Sequence, residues 1–250
     1  MAPHLRRVRD LAVYDHCGTG AGSSQEPLVV LVHGAMDRGA GMLRVARRLR
    51  HLDLVRYDRR GYGRSWGAGV PSSFQEHVDD LDAIIGDRQC ILLGHSYGGV
   101  VSMALASSGD ERVVGVVSYE APRAWEEWWS RPPSLDVDPA YAAEVFLRRM
   151  IGDTLWEALP ERTRSERRSE GQTMVAELNF QTIQRYDATR IDVPLIVGVG
   201  RASSELTHRA ARLTASEAIH GELMLVEGAG HGAHTTNPEE LAAMVDYVEL

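Results

Sequence analysis

Short apolar runs that do not alternate constrain this chain most. LVVLVHG (28–34), ILLGHS (91–96), VVGVVSYE (113–120), PLIVGVG (194–200) and ELMLVEG (222–228) recur along it. A strand with one wet face alternates with a period of two. A continuous run therefore predicts strands buried on both faces, which is the signature of a parallel sheet covered by helices. LDLVRYD (52–58) reads as a further strand, and RVRDLAVYD (7–15) alternates as an edge hairpin strand does. Helical patterns lie between. Residues 39–51 repeat Met42, Leu43, Val45, Ala46 and Leu49. Residues 72–86 open on a capping-box pattern of Ser72 or Ser73 with Glu76, and carry Phe74, Val78, Leu81 and Ile85 on one face. Residues 237–250 begin with Asn237 as cap and Pro238 at the first helical position. Strands alternating with helices predict an α/β fold.

One region breaks this rhythm. Residues 121–192 contain no strand-like run, only a Trp-rich opening and two amphipathic stretches. Tyr141, Val145 and Met150 mark the apolar face of one; Met174, Leu178 and Ile183 mark the other. The expected organisation is a core domain of residues 1–120 and 193–250 with a helical cap, 121–192, inserted after the sixth strand. Open α/β sheets bind ligands at the carboxyl ends of their strands, so a lid there would build a pocket. Trp125, Trp128 and Trp129, near its start, are candidates to line it, against the alternative that they are packing for the cap itself.

GHSYG (94–98) falls where a buried run ends and a helix of small residues, GVVSMALASS, begins. Strand, sharp turn and helix are the setting of a nucleophile elbow: flanking glycines relieve crowding, and the serine hydroxyl stands clear at a helix N-terminus. The plainer reading makes Ser96 a helix cap in a Gly-rich turn. A serine hydroxyl is a weak nucleophile at neutral pH and needs a base. His231, in the Gly-rich loop VEGAGHGAH after the last strand, returns to the same edge as Ser96. His234 is the local competitor, and His95, adjoining the serine, is expected to point inward. An oxyanion hole needs two donors. The backbone N–H of Tyr97 supplies one, and the turn His33-Gly34-Ala35-Met36 the other, with Ala35 preferred and Met36 the second choice or a pocket residue.

HGAM (33–36), YDRRGYGRS (57–65), GHSYGG (94–99) and GAGH (228–231), in this order and spacing, resemble the α/β-hydrolase fold family across nearly the whole chain. The resemblance implies that fold and a serine nucleophile, and leaves the substrate unspecified. In the commonest family pattern an aspartate follows the penultimate strand. Here that turn reads VGVGRASSEL, and Ser203 stands at the aspartate's place. A serine cannot carry the charge that steadies a histidinium. Two acids compete: Glu205, two residues on, and Glu120, at the end of VVGVVSYE. The latter position resembles that of a branch of dehalogenases and some lipases. A buried carboxylate is costly unless partnered, which favours Glu120.

These residues together predict a serine hydrolase cleaving a carboxylic ester, thioester or lactone with Ser96, His231 and Glu120, the oxyanion being held by Ala35 and Tyr97. A carbon–carbon bond hydrolase acting on a diketone-like substrate is the enzymatic alternative. A ligand-binding protein that keeps the fold is the other, favoured by the serine at 203. No cofactor and no metal is expected, since no ligand-spaced Cys/His cluster occurs. The net charge of −8 argues against nucleic acid as a partner, and the basic RTRSERRSE run (162–170) alternates with acids as a solvated face does. The N-terminus lacks the apolar core of a signal peptide, and no run approaches the roughly 18 residues needed to cross a bilayer. The expectation is a cytoplasmic protein acting on a small molecule, with no membrane partner and with homo-oligomerisation open.

Overall fold

In the computed structural model, which describes residues 3–19 and 26–248, the apolar runs assemble one eight-stranded sheet. Its strands are β1 (His4–Val8), β2 (Leu11–His16), β3 (Leu28–Val32), β4 (Leu54–Tyr57), β5 (Cys90–His95), β6 (Val113–Tyr119), β7 (Leu195–Gly200) and β8 (Gly221–Val226), in the spatial order β1-β2-β4-β3-β5-β6-β7-β8. From β4 to β8 every neighbouring pair is parallel; β1 and β2 add antiparallel pairings at one edge. The helices are α1 (Leu43–Arg48), α2 (Phe74–Ile85), α3 (Tyr97–Ser107), α4 (Pro139–Ile151), α5 (Asp153–Ala158), α6 (Glu161–Ser169), α7 (Gly171–Phe180), α8 (Glu205–Glu217), α9 (Ala233–Thr236) and α10 (Pro238–Val248).

Successive side chains of the central strands divide between two cores. Val30, Val32, Leu92 and Val116 pack with Leu81 of α2 and Val100 of α3. Val29, Leu31, Ile91 and Val117 pack with Val45 of α1 and Leu241 and Val245 of α10. Both faces being covered, each strand position must be apolar, which is why the runs do not alternate. β8 departs from that expectation. It is the far edge strand, mostly half-exposed, because only β7 pairs with it among the described residues. The run at 7–15 is also corrected: it is not one strand but the turn and second arm of a two-residue hairpin. Arg9 and Asp10 take φ of 48° and 65°, and Val8 pairs with Leu11. Paired positive φ values match a tight hairpin to strand twist.

Two helix starts show the local chemistry. Ser73 caps α2 by accepting from the Glu76 N–H, while the Glu76 carboxylate accepts from the Ser72 N–H at 2.8 Å, so both serines share the box. The helix expected over 39–51 shortens to α1, with residues 39–42 forming turns before it. Between β6 and β7 lie four helices, α4 to α7, rather than two amphipathic stretches. Three of them, α4, α5 and α7, share a third core of Ala142, Leu147, Trp156, Met174 and Val175, completed by Met36 and Tyr62 from loops at the sheet's carboxyl edge. No helix among the described residues is long and apolar enough to cross a membrane.

Candidate active site

Ser96 sits between β5 and α3 with φ 53° and ψ −122°, a region that non-glycine residues rarely adopt. The glycines around it are dictated by contact. A Cβ on Gly94 would lie 2.5 Å from the Gly98 carbonyl oxygen, and one on Gly98 would lie 2.2 Å from that of Val32. Ser96 occupies the N-cap position of α3, yet its side chain makes no capping hydrogen bond, which removes the helix-cap reading. The loop after β3 comes equally close: a Cβ on Gly34 would meet Ser96 Cβ at 3.0 Å. Ala35 and Tyr97 border the same cavity as Ser96, on either side of it in the chain's path.

Glu120 follows β6 with φ 51° and is 3% exposed. His231 Nδ1 donates to its Oε2 at 2.8 Å. Its Oε1 accepts from the Gly200 N–H at 2.9 Å and from the Ser203 hydroxyl at 2.5 Å. Burial alone would push this carboxyl up; the bonds from His231, Ser203 and Gly200 outweigh it and hold the group below the ordinary glutamate range. With Nδ1–H bound to a carboxylate, the imidazole's lone pair resides on Nε2, the nitrogen free to take a proton.

The histidine loop is anchored from below. Tyr119 OH donates to Gly230 O at 2.9 Å, and His95 Nε2 donates to His231 O at 2.8 Å. His95 is buried, and burial followed by its neighbours His234 and His231 keeps its ring well below the usual histidine range, hence neutral. Its ring lies 4.1 Å from that of His234, whose Nε2 is 3.4 Å from Asp37 Oδ2. Asp37, His95 and His234 are of metal-ligating type and bring ligand atoms within 4.8 Å of one another. The Asp37 carboxylate and the His234 imidazole face each other between the loop after β3 and helix α9.

Ser96, His231 and Glu120 all line one cavity of about 670 Å³. Its opposite wall comes from the helical insertion: Trp129, Tyr141, Val145, Phe146 and Leu178. The apolar stripe of Tyr141 and Val145 thus faces the cavity, while Ala142, Ala143 and Leu147 make the insertion's core. Three expected pocket residues are not among its lining. Met36 is packed into the insertion's core. Trp125 stands edge-on to Tyr186, 4.9 Å between ring centroids, and packs on the sheet's core. Trp128 lies under the Arg209 guanidinium, 4.4 Å away. The irregular path of residues 121–138 turns Trp129 inward instead. Glu205 does not join the site: it begins α8 and pairs with Arg212, its side chain 80% exposed. Sequence reasoning missed Ser203 as a donor to Glu120; its position opposite the acid was visible only as the lack of an aspartate.

A parallel sheet with an antiparallel edge, a strained serine after β5 and a histidine after β8 define the architecture of a family. The model of the alpha/beta hydrolase family matches residues 29–244, and the chain belongs to that family of hydrolases. Lipase LipV of Mycobacterium tuberculosis is 33% identical over 100 residues, 38% of each protein. Epoxide hydrolase 4 of Mus musculus is 25% identical over 136 residues, 51% of this chain and 38% of the relative. The chain therefore spans less than two fifths of these curated relatives. Among solved structures, an alpha/beta hydrolase from Sphaerobacter thermophilus superposes with a TM-score of 0.76 at 22% identity, covering 99% of this chain and all of the other. The enol-lactonase of Burkholderia xenovorans gives 0.72 at 20%, covering 98% of this chain and 99% of the other. At such identities the likeness is one of fold.

Proposed function

We propose that the protein is a serine hydrolase cleaving a carboxylic ester, or the related thioester or lactone, through an acyl-enzyme. The observation carrying this reading is the 2.8 Å bond between His231 Nδ1 and the buried Glu120, in one cavity with a strained, uncapped Ser96. Ser96 Oγ attacks the carbonyl carbon while His231 Nε2 takes its proton. Glu120 holds the resulting imidazolium in place and offsets its charge. The N–H groups of Ala35 and Tyr97 receive the oxyanion, the latter at the positive end of α3. Collapse expels the alcohol or thiol, protonated by His231; water then attacks the acyl-serine by the same route in reverse. Helices α4 to α7 serve as the cap whose apolar wall receives the acyl or alcohol chain.

A purely ligand-binding role drew its support from the serine at 203. Glu120 supplies the charge missing there, so that support falls away. The test is covalent: a fluorophosphonate should add once to the intact protein, with the adduct lost in Ser96→Ala, and a short-chain p-nitrophenyl ester should be turned over. One adduct that persists in Ser96→Ala would remove Ser96 from the mechanism.

A further inference from the structure

The carbonyls on both sides of Ala35 are held by arginines tied to the helical insertion. Gly34 O accepts from Arg59 Nη2 at 3.0 Å and from His33 Nδ1 at 2.8 Å, and Arg59 Nε donates to His33 O at 2.9 Å. Met36 O accepts from Nη1 of Arg167, on α6, at 3.1 Å. In a trans peptide the C=O and the next N–H lie in one plane and point in opposite directions. Whatever aims the Gly34 carbonyl therefore aims the Ala35 N–H.

Arg59 is itself aimed from the insertion. Its guanidinium forks onto Glu177 of α7, Nη1 to Oε1 and Nη2 to Oε2, the latter at 3.2 Å. Both side chains are fully buried. Glu177 also accepts from Tyr62 OH at 2.7 Å and faces His77 Nε2 at 2.9 Å. The same guanidinium packs 4.8 Å over the ring of Tyr97, whose backbone is the second oxyanion donor. The insertion also has an apolar attachment, since Met36 and Tyr62 join its core. A buried ion pair is a poor stabiliser compared with apolar packing of the same volume. What a planar fork with five fixed donors adds is direction.

We propose that Glu177 is a positioning residue for the oxyanion hole: through the Arg59 guanidinium and the Gly34 carbonyl, helix α7 sets the direction of the Ala35 N–H. The proposal rests on the acyl-transfer reading above and adds that the insertion completes the catalytic edge as well as covering it. With the Glu177 fork in place, Arg59 holds the Gly34 carbonyl alongside His33 Nδ1; without the fork only the His33 bond remains and the donor is less sharply aimed.

Two variants test this. Arg59→Lys keeps a positive charge opposite Glu177, but one ammonium cannot serve His33 O, Gly34 O and the carboxylate together. Glu177→Gln keeps the shape and loses the charge. For Arg59→Lys on a p-nitrophenyl ester, kcat should fall about 10- to 100-fold with KM within about twofold, somewhat less than the loss of a whole oxyanion donor. Affinity for a trifluoromethyl ketone, which forms a tetrahedral oxyanion on serine, should fall by a similar factor. Glu177→Gln should shift both in the same direction. If the melting temperature drops while kcat and inhibitor affinity hold within about twofold, the pair only attaches the insertion and the proposal is overturned. The Ala35 amide cross-peak in a 1H–15N spectrum reads the same question without substrate and must move in both variants. Should wild-type protein turn over no ester, the functional reading fails while that cross-peak still decides; an unmoved peak overturns the proposal. If Glu177→Gln does not fold, Arg59→Lys alone carries the decision.

Discussion

The turns after β6 and β7 lie side by side at the carboxyl edge of the sheet, and each sends one side chain to the same spot. From β6 comes Glu120, buried, with a left-handed backbone. From β7 comes Ser203, whose hydroxyl donates to Glu120 rather than facing His231 directly. In the commonest family pattern the second turn holds the acid. Here the charge stands one strand over, and the turn that lacks it has become a support for it, together with the Gly200 N–H. The difference teaches that a carboxylate can be brought within reach of the histidine's Nδ1 from a turn other than the usual one. Parallel neighbours are only about 4.8 Å apart, a gap that one side chain can span.

The comparison can be broken most forcefully at Glu120. Glu120→Gln keeps shape but removes the charge under His231, and turnover of an ester should fall by about 10²- to 10⁴-fold, approaching the loss seen when a triad aspartate becomes an amide. Adding Ser203→Asp to that variant restores an acid at the other turn. Because Ser203 already touches the Glu120 carboxyl, kcat should recover about tenfold or more; no recovery would mean that the two turns are not interchangeable. Ser203→Ala in the native background removes one donor from a buried carboxylate, worth about 1.5 kcal/mol or more, and turnover should fall by roughly tenfold. Glu120 is held low partly by that donor, so its folded value should rise. Activity that requires the ionised acid is kept above this value and lost as pH falls through it. The acid-side decline of kcat/KM should therefore begin at higher pH in Ser203→Ala than in wild type. Smallest of all, Glu205→Gln alters an exposed residue of α8 and should change turnover by less than about threefold; a crippled Glu205→Gln beside a healthy Glu120→Gln would reverse the assignment.

Legibility in the sequence followed whether a feature is local. The elbow could be read from five residues, because glycine spacing and an apolar run to one side reflect contacts within a single strand–turn–helix unit. Glu120 was legible by its incongruity, a carboxylate closing a run of residues buried on both faces. The partners of that carboxylate were not, since Gly200 and Ser203 approach it only once β6 and β7 pair. Arg59 and Glu177 lie 118 positions apart and look like ordinary surface charges until the insertion folds back. The tryptophans failed for a different reason. Residues 121–138 form no helix or strand among the described residues, so nothing periodic distinguishes the inward Trp129 from Trp125 and Trp128. The hairpin at Arg9 and Asp10 was likewise hidden, because alternation continues on both sides of a two-residue turn.

The surroundings of Glu120 also bear on how the chain reaches its final form. Ser96 and Glu120 are one β5–α3–β6 crossover apart, and contacts so near in sequence close early. All three donors to Glu120, namely Gly200, Ser203 and His231, come from beyond the insertion. Until β7, β8 and the loop between β8 and α9 dock, β6 is an edge strand and Glu120 is open to water; docking buries its carboxylate and delivers these donors in the same event. Docking that buried the carboxylate without delivering those donors would leave an unpaired buried charge, which is strongly unfavourable. Misregistered docking of β7, β8 and the loop between β8 and α9 is thereby penalised. The carboxylate proposed as the triad acid thus also favours the native register of the last third of the chain.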